Sequence, residues 1–108
     1  MSISVHVIDN FHGRPAEGVS VELIASTAAG LSAAGLTGPD GRLVLGGAEP
    51  LPPGTYELAF GTGAYFEQRG QHAFHPRIRV EFTVGDTDSR LHIPLLVTPF
   101  AFTTYRGD

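Results

Sequence analysis

Glycine and proline interrupt this chain at short intervals, with 14 Gly and 8 Pro among its 108 residues. The segments between them alternate in polarity or are rich in β-branched and aromatic side chains, a pattern typical of short strands joined by turns. Strands are predicted over residues 3–9, 19–25, 31–37, 43–45, 55–60, 77–84, 90–97 and 100–105. The pattern therefore indicates an all-β fold.

The segment 77–84 shows the alternation most clearly. Every second side chain in it is apolar and is predicted to face inwards, namely Ile78, Val80, Phe82 and Val84. Residues 64–72 break the alternation and form the one predicted helix, of about two turns. We predict a single domain over residues 1–108, a two-sheet β-sandwich of seven to eight strands with one short helix.

Charge and composition narrow the range of partners. The formal net charge is −4, whereas nucleic acids and anionic membranes reward basic surfaces. No apolar run approaches the roughly 20 residues of a membrane span, and residues 1–6 lack the pattern of a signal peptide. The absence of cysteine excludes disulfides and thiolate chemistry and favours a reducing compartment. We expect a cytoplasmic protein that binds neither nucleic acid nor membranes.

Two of the five histidines lie inside predicted strands. His6 and His92 each stand between apolar neighbours, which alternation places on the opposite face of the strand. If their strands border one cavity or interface, the two imidazoles can divide the roles of general acid and general base. The alternative, which the pattern alone favours, is that they are unrelated and face solvent. The remaining three lie in loop-like segments and are predicted to be surface residues, namely His12, His72 and His75.

Two arginines are further candidates. Arg42 begins a strand directly after the tight turn of residues 38–41, and Arg106 lies in a chain end rich in aromatic and Thr residues. A guanidinium at either place can bind a planar, anionic or carbonyl-rich ligand through paired hydrogen bonds, or can be an ordinary surface group. His72 and His75 are three positions apart, but no third ligand accompanies them, so no metal site is predicted.

Three stretches of the chain form recognisable motifs. The first combines residues 4–9, 13–16 and 19–23 (SVHVID, GRPA and VSVEL), and the second is residues 37–42 (TGPDGR). The third combines residues 92–96 and 103–108 (HIPLL and TTYRGD). Together they resemble the transthyretin-like family, and in particular the hydrolases of 5-hydroxyisourate within it. The third motif is the most specific, because it separates these hydrolases from the thyroid-hormone carriers of the family.

The resemblance implies a fold, an assembly and an activity. The expected fold has two four-stranded sheets, and the expected assembly is a homotetramer with active sites in the channel where dimers meet. The expected reaction is cofactor-independent hydrolysis of 5-hydroxyisourate to 2-oxo-4-hydroxy-4-carboxy-5-ureidoimidazoline, in the degradation of urate. His6, Arg42 and His92 match the catalytic residues of the family, and Tyr105 and Arg106 match its terminal substrate-binding segment. One histidine would help to deprotonate water and the other would position or protonate, while Arg42 would hold ring carbonyls; which histidine is the base stays open.

Two positions depart from the family pattern. Asp108 stands where the family normally has Ser, and Ala101 stands where it commonly has Gly. Asp108 adds a carboxylate that can repel an anionic substrate or pair with Arg106. Two other functions therefore stay open, a transthyretin-like ligand carrier and a catalytically inactive interaction domain.

Overall fold

The computed structural model describes residues 2–25, 32–47, 51–85 and 90–107, and within them it contains nine strands and one helix. In chain order the elements are β1 (Ser2–Asp9), β2 (Arg14–Pro15), β3 (Ser20–Ala25), β4 (Ser32–Leu36), β5 (Arg42–Gly46), β6 (Gly54–Phe60), α1 (Thr62–Glu67), β7 (Ile78–Val84), β8 (Arg90–Val97) and β9 (Phe102–Thr104). The predicted all-β sandwich with one short helix is confirmed. The predicted start of the third strand, at residue 31, and the departure from the family pattern at Asp108 lie outside the described residues.

The strands form two sheets. One has the order β2-β1-β8-β9. β5 also pairs with β1, over residues 2–6, ahead of Ile8 and Asp9, which pair with β2. The other has the order β4-β3-β6-β7. Among the described residues, every strand pair is antiparallel except β1 and β8, which run parallel in an unbroken register from Ser2–Arg90 to Asp9–Val97. The first and the eighth strands therefore lie side by side in the first sheet.

Alternating apolar residues fill the space between the sheets. Ile3, Val5 and Val7 of β1 are fully buried, and each buried side chain of this size stabilises the fold by about 1.5–3 kcal/mol. In β7, Ile78 and Val84 are buried as predicted. The two apolar residues between them, Val80 and Phe82, are only partly buried, and both line a cavity between β7 and the last two strands.

The helix is shorter than predicted and is displaced towards the N-terminus. It spans Thr62–Glu67 instead of residues 64–72. The backbone N–H of Gln71 donates to the carbonyl of Phe66, and that of Gly70 donates to Glu67, which is the hydrogen-bond pattern of a Schellman motif. Gly70 has a φ of 78° and supplies the left-handed residue that ends the helix. No helix in the described part of the chain is long and apolar enough to cross a membrane.

Two further segments differ from the sequence prediction. Arg14–Pro15 was predicted as loop but forms β2 against the end of β1. Pro15 is tolerated because β2 is an edge strand, where a missing N–H costs no ladder bond. The last strand begins at Phe102 rather than at residue 100, because residues 98–101 form a turn in which the Thr98 N–H donates to the Ala101 carbonyl at 2.8 Å.

Candidate active site

The register of three strands brings His6, Arg42 and His92 onto one face of the first sheet. His6 lies directly opposite Arg42 in the β1–β5 pair. His92 lies opposite Ser4 in the β1–β8 pair, so it is offset by one side-chain repeat from His6 on the same face. Directly opposite residues in a sheet have Cβ atoms about 5 Å apart, and diagonal neighbours about 7–8 Å. The face is the outer one, because Val5 and Val7 point into the core.

A tight turn sets the position of Arg42. The N–H of Gly41 donates to the Gly38 carbonyl at 2.9 Å, and the Arg42 N–H donates to Oδ1 of Asp40 at 3.0 Å. Gly41 has a φ of 78°, and a Cβ there would collide with the backbone oxygen of Val7. The Arg42 side chain is 56% exposed, and its Nε lies 3.9 Å from the Asp40 carboxylate. This long contact leaves the guanidinium able to bind a ligand.

A hydroxyl and a glycine surround the half-buried ring of His92. Oγ of Ser4 lies 2.7 Å from Nδ1 of His92. On the other side, the chain end returns along β8, and Gly107 pairs with His92, donating its N–H to the His92 carbonyl at 2.8 Å. The ring is therefore held by the Ser4 hydroxyl, and the returning chain end is tied to the backbone of His92.

The surroundings of His6 favour its neutral form. Burial lowers the pKa of His6 below its ordinary value of 6.5, and the positive charge of Arg42 lowers it further. A hydrogen bond from the ring to the backbone of Asp40 raises the pKa, but the net shift is downwards. A neutral imidazole at pH 7 is available as a proton acceptor.

Tyr105 and Arg106 do not join the other three residues within a single chain. Both border a cavity of about 200 Å³ between β7 and the last two strands, together with Glu81 and Ile93. None of His6, Arg42 and His92 lines that cavity. Tyr105 is 57% exposed, which places its ring at the surface. The single chain thus brings together three of the five predicted site residues.

Sequence reasoning missed the role of His12, which was predicted as an ordinary surface residue. Its Nδ1 lies 2.6 Å from Oδ2 of the fully buried Asp9, and its ring is stacked near Phe66. The Tyr65 hydroxyl donates to the same Asp9 oxygen at 2.8 Å. The two residues are three positions apart in the sequence, and this spacing was the signal from which their side-chain contact could have been predicted. This network lies at the far end of β1 from Ser4 and ties the β1–β2 loop to α1.

The residues of the candidate site can perform hydrolysis without a metal ion. Within the described residues, no group of three or more His, Cys, Asp or Glu side chains is placed to hold a metal. Two imidazoles can move protons, and a guanidinium can stabilise negative charge that develops on a carbonyl oxygen. Ser4 and Gly107 are additions that the sequence did not reveal, because their roles depend on strand register.

Comparison with known proteins gives a consistent result. A sequence model described as the HIUase/Transthyretin family matches residues 3–107. A 5-hydroxyisourate hydrolase of Pseudomonas aeruginosa is 37% identical over 114 residues, which cover 97% of this chain and 90% of that protein. The structure of 5-hydroxyisourate hydrolase from Klebsiella pneumoniae has a TM-score of 0.88 and 36% identity, covering 99% of this chain and 98% of the other. Sea bream transthyretin in complex with thyroxine has a TM-score of 0.87 and 28% identity, covering 97% and 93%.

Proposed function

We propose that this chain, which belongs to the HIUase/Transthyretin family, hydrolyses 5-hydroxyisourate to 2-oxo-4-hydroxy-4-carboxy-5-ureidoimidazoline in the degradation of urate. The observation that carries the proposal is the placement of His6 opposite Arg42, with His92 on the adjacent strand of the same face. Relatives named for this reaction match nearly the whole chain, which supports the same activity here.

The reaction needs one proton acceptor, one donor and a group that stabilises developing charge. Water attacks an amide carbonyl of the six-membered ring, one histidine takes its proton, and a C–O bond forms. The C–N bond of the amide then breaks, and the leaving nitrogen takes up a proton. Positioned acid–base groups of this kind accelerate such steps by about 10²–10⁴-fold. Arg42 binds the ring carbonyls and stabilises the oxyanion. Tyr105 and Arg106, which lie apart from the other three residues within one chain, hold the substrate where chains associate.

A homotetramer is part of the proposal. The outer face that holds the three site residues also exposes Val44, which is 64% exposed and lies opposite Ser4. At the edge of the same sheet, Phe100 and Phe102 are 67% and 40% exposed. Apolar residues of this kind, next to an edge strand, favour association of chains. Association would also enclose the site and exclude water, which strengthens its electrostatic interactions.

The oligomeric state can be measured directly. Light scattering after size-exclusion chromatography is expected to give four times the 11.4 kDa chain mass at micromolar concentration. A stable monomer that hydrolyses the substrate would contradict the tetramer.

A reducing, cytoplasmic compartment completes the proposal, supported by the absence of cysteine. Cell fractionation tests it, and recovery from an oxidising compartment would contradict it.

A ligand carrier is the second candidate, since sea bream transthyretin with thyroxine has a similar fold. The histidines and Arg42 favour hydrolysis, because binding an aromatic hormone does not require two imidazoles that can exchange protons. Calorimetry with thyroxine separates the two functions. Tight binding without hydrolysis would support the carrier.

The ultraviolet decay of freshly made 5-hydroxyisourate tests the enzyme directly. Purified protein is expected to accelerate the decay well beyond that in buffer. His6→Asn and His92→Asn are expected to remove most of the acceleration, whereas Glu22→Gln, an exposed change on β3, should leave it intact. Equal decay with protein and with buffer would rule out the hydrolase.

A further inference from the structure

Ser4 has one hydroxyl proton and two polar neighbours. Its Oγ lies 2.7 Å from Nδ1 of His92 and 3.4 Å from the carbonyl oxygen of Leu91. The first distance is well within the range of a good hydrogen bond from a hydroxyl group. The second is beyond the 2.5–3.0 Å that O–H···O bonds ordinarily span. The geometry favours donation of the hydroxyl proton to Nδ1.

In a neutral imidazole, the protonation of one ring nitrogen determines that of the other. A neutral imidazole has one N–H and one lone pair, so the nitrogen that accepts a hydrogen bond is the one without a proton. If Nδ1 of His92 accepts from Ser4, the proton of the neutral ring is on Nε2. Nε2 is then a hydrogen-bond donor and can donate to a substrate.

His6 has a different kind of partner. It lies directly opposite Arg42, whose positive charge opposes a second positive charge on the ring. A neutral imidazole keeps one lone pair with which it can accept a proton. The two rings thus have different neighbours, a hydroxyl beside His92 and a guanidinium opposite His6.

We propose that Ser4 is a positioning residue that holds His92 as its Nε2–H tautomer, so that His92 donates a hydrogen bond to the substrate while His6 accepts the proton of water. The assignment of these two roles rests on the proposed hydrolase activity. The tautomer of His92 does not, because it is a property of the protein without substrate.

A neutral imidazole donor suits a site next to a guanidinium. A second positive charge close to Arg42 would be unfavourable, whereas a neutral N–H can stabilise a developing oxyanion without that repulsion. Ser4 can supply this state because its hydroxyl is a donor as well as an acceptor. Alanine at the same position would leave Nδ1 without a donor from the strand.

Nitrogen-15 spectra of histidine-labelled protein test the tautomer directly. His92→Asn identifies the His92 signals by their loss. In the unsubstituted protein at pH 8, the spectra are expected to show a proton on Nε2 and a lone pair on Nδ1. Ser4→Ala is expected to give a mixture of tautomers, and Ser4→Thr, which keeps the hydroxyl, is expected to restore the original pattern. A proton on Nδ1 in the unsubstituted protein would overturn the proposal.

Kinetics test the consequence for catalysis. Ser4→Ala is expected to lower kcat by about five- to tenfold with a smaller change in KM, because one hydrogen bond that orients the donor is lost. Ser4→Thr should recover most of kcat. Ser20→Ala, which removes an exposed hydroxyl from β3 of the other sheet, is the matched control and should be unchanged. A folded Ser4→Ala protein with unaltered tautomer and kcat would refute the role of Ser4.

The two proposals fail in different ways. If the protein does not hydrolyse 5-hydroxyisourate but the His92 tautomer depends on Ser4, the proposed function is wrong and the positioning role stands. If hydrolysis is rapid but the tautomer does not depend on Ser4, the function stands and the positioning role is wrong. Thermal unfolding of each variant separates either result from a loss of folding.

Discussion

A Cβ atom at Gly107 would lie 2.7 Å from Cδ2 of the His92 ring, closer than such atoms pack. The returning chain end therefore approaches the imidazole so closely that only glycine fits. Gly107→Ala is expected to displace either the ring or the chain end. Because small displacements of catalytic groups are costly, we expect kcat to fall by about tenfold or more, measured by the ultraviolet assay.

Gly47→Ala is the matched control for this prediction. A Cβ at Gly47 would meet no atom within 4 Å, and its backbone does not require glycine. Unchanged kinetics in Gly47→Ala, with a reduced kcat in Gly107→Ala, would identify the contact with His92 as the cause. Full activity in Gly107→Ala would show that the close approach does not constrain the ring.

The charge of Arg42 is expected to influence the titration of His6. Burial is the largest cause that lowers the pKa of His6, and Arg42 is the next. In Arg42→Gln the pKa of His6 should therefore rise towards 6.5, because the cation opposite it is gone. NMR titration of the His6 ring measures the shift. Arg77→Gln, at an exposed position ahead of β7, is the control and should leave the titration unchanged.

The same pKa shift predicts the acid limit of activity. The proposed base, His6, can accept a proton only when neutral, so kcat/KM should stay high until the pH falls below 6.5 and then decline. Arg42→Gln should lower activity at every pH and move the decline to higher pH. A decline at the same pH in both proteins would contradict the coupling of Arg42 to His6.

Much of the fold was predictable because its determinants are local. The alternation in β1 and β7 and the turn before Arg42 are properties of a few consecutive residues. The end of the helix was harder to predict, since Gly70 lies within the segment that breaks the alternation. The pairing of Arg14–Pro15 with β1 was not predictable, because a two-residue strand has no periodicity.

The site was predictable only in part, for a related reason. His6, Arg42 and His92 could be selected by residue type and by the family resemblance, but their common face follows from pairing between distant strands. Ser4 and His92 are 88 positions apart, and their contact depends on the parallel register of β1 and β8. No pattern within either strand encodes that register. The placement of Tyr105 and Arg106 next to a different cavity was equally hidden.

Asp108 lies outside the described residues, and its effect is a matter for experiment. It is one of the two positions where the sequence departs from the family pattern, and it places a carboxylate where Ser is usual. Asp108→Ser is expected to leave the ultraviolet decay rate unchanged or to increase it, because it removes a negative charge that can repel an anionic substrate. If the unsubstituted protein is inactive and Asp108→Ser remains inactive, the inactive interaction domain is the better description.

The buried carboxylate of Asp9 is expected to make stability depend on pH. Burial alone would raise the pKa of Asp9, but hydrogen bonds from His12 and Tyr65 lower it below the ordinary value of 3.8. The stabilisation is therefore present above pH 3.8 and is lost as the pH falls through the lower pKa of the folded protein. Asp9→Asn should lower the free energy of unfolding at pH 7 by about 2–3 kcal/mol, because a buried charged hydrogen-bond network is broken. Urea unfolding measured between pH 2 and pH 7 tests both statements. Glu22→Gln, which changes an exposed carboxylate, is the control and should lose stability with falling pH as the unsubstituted protein does. If Asp9→Asn loses stability with falling pH in the same way, Asp9 is not the titrating group.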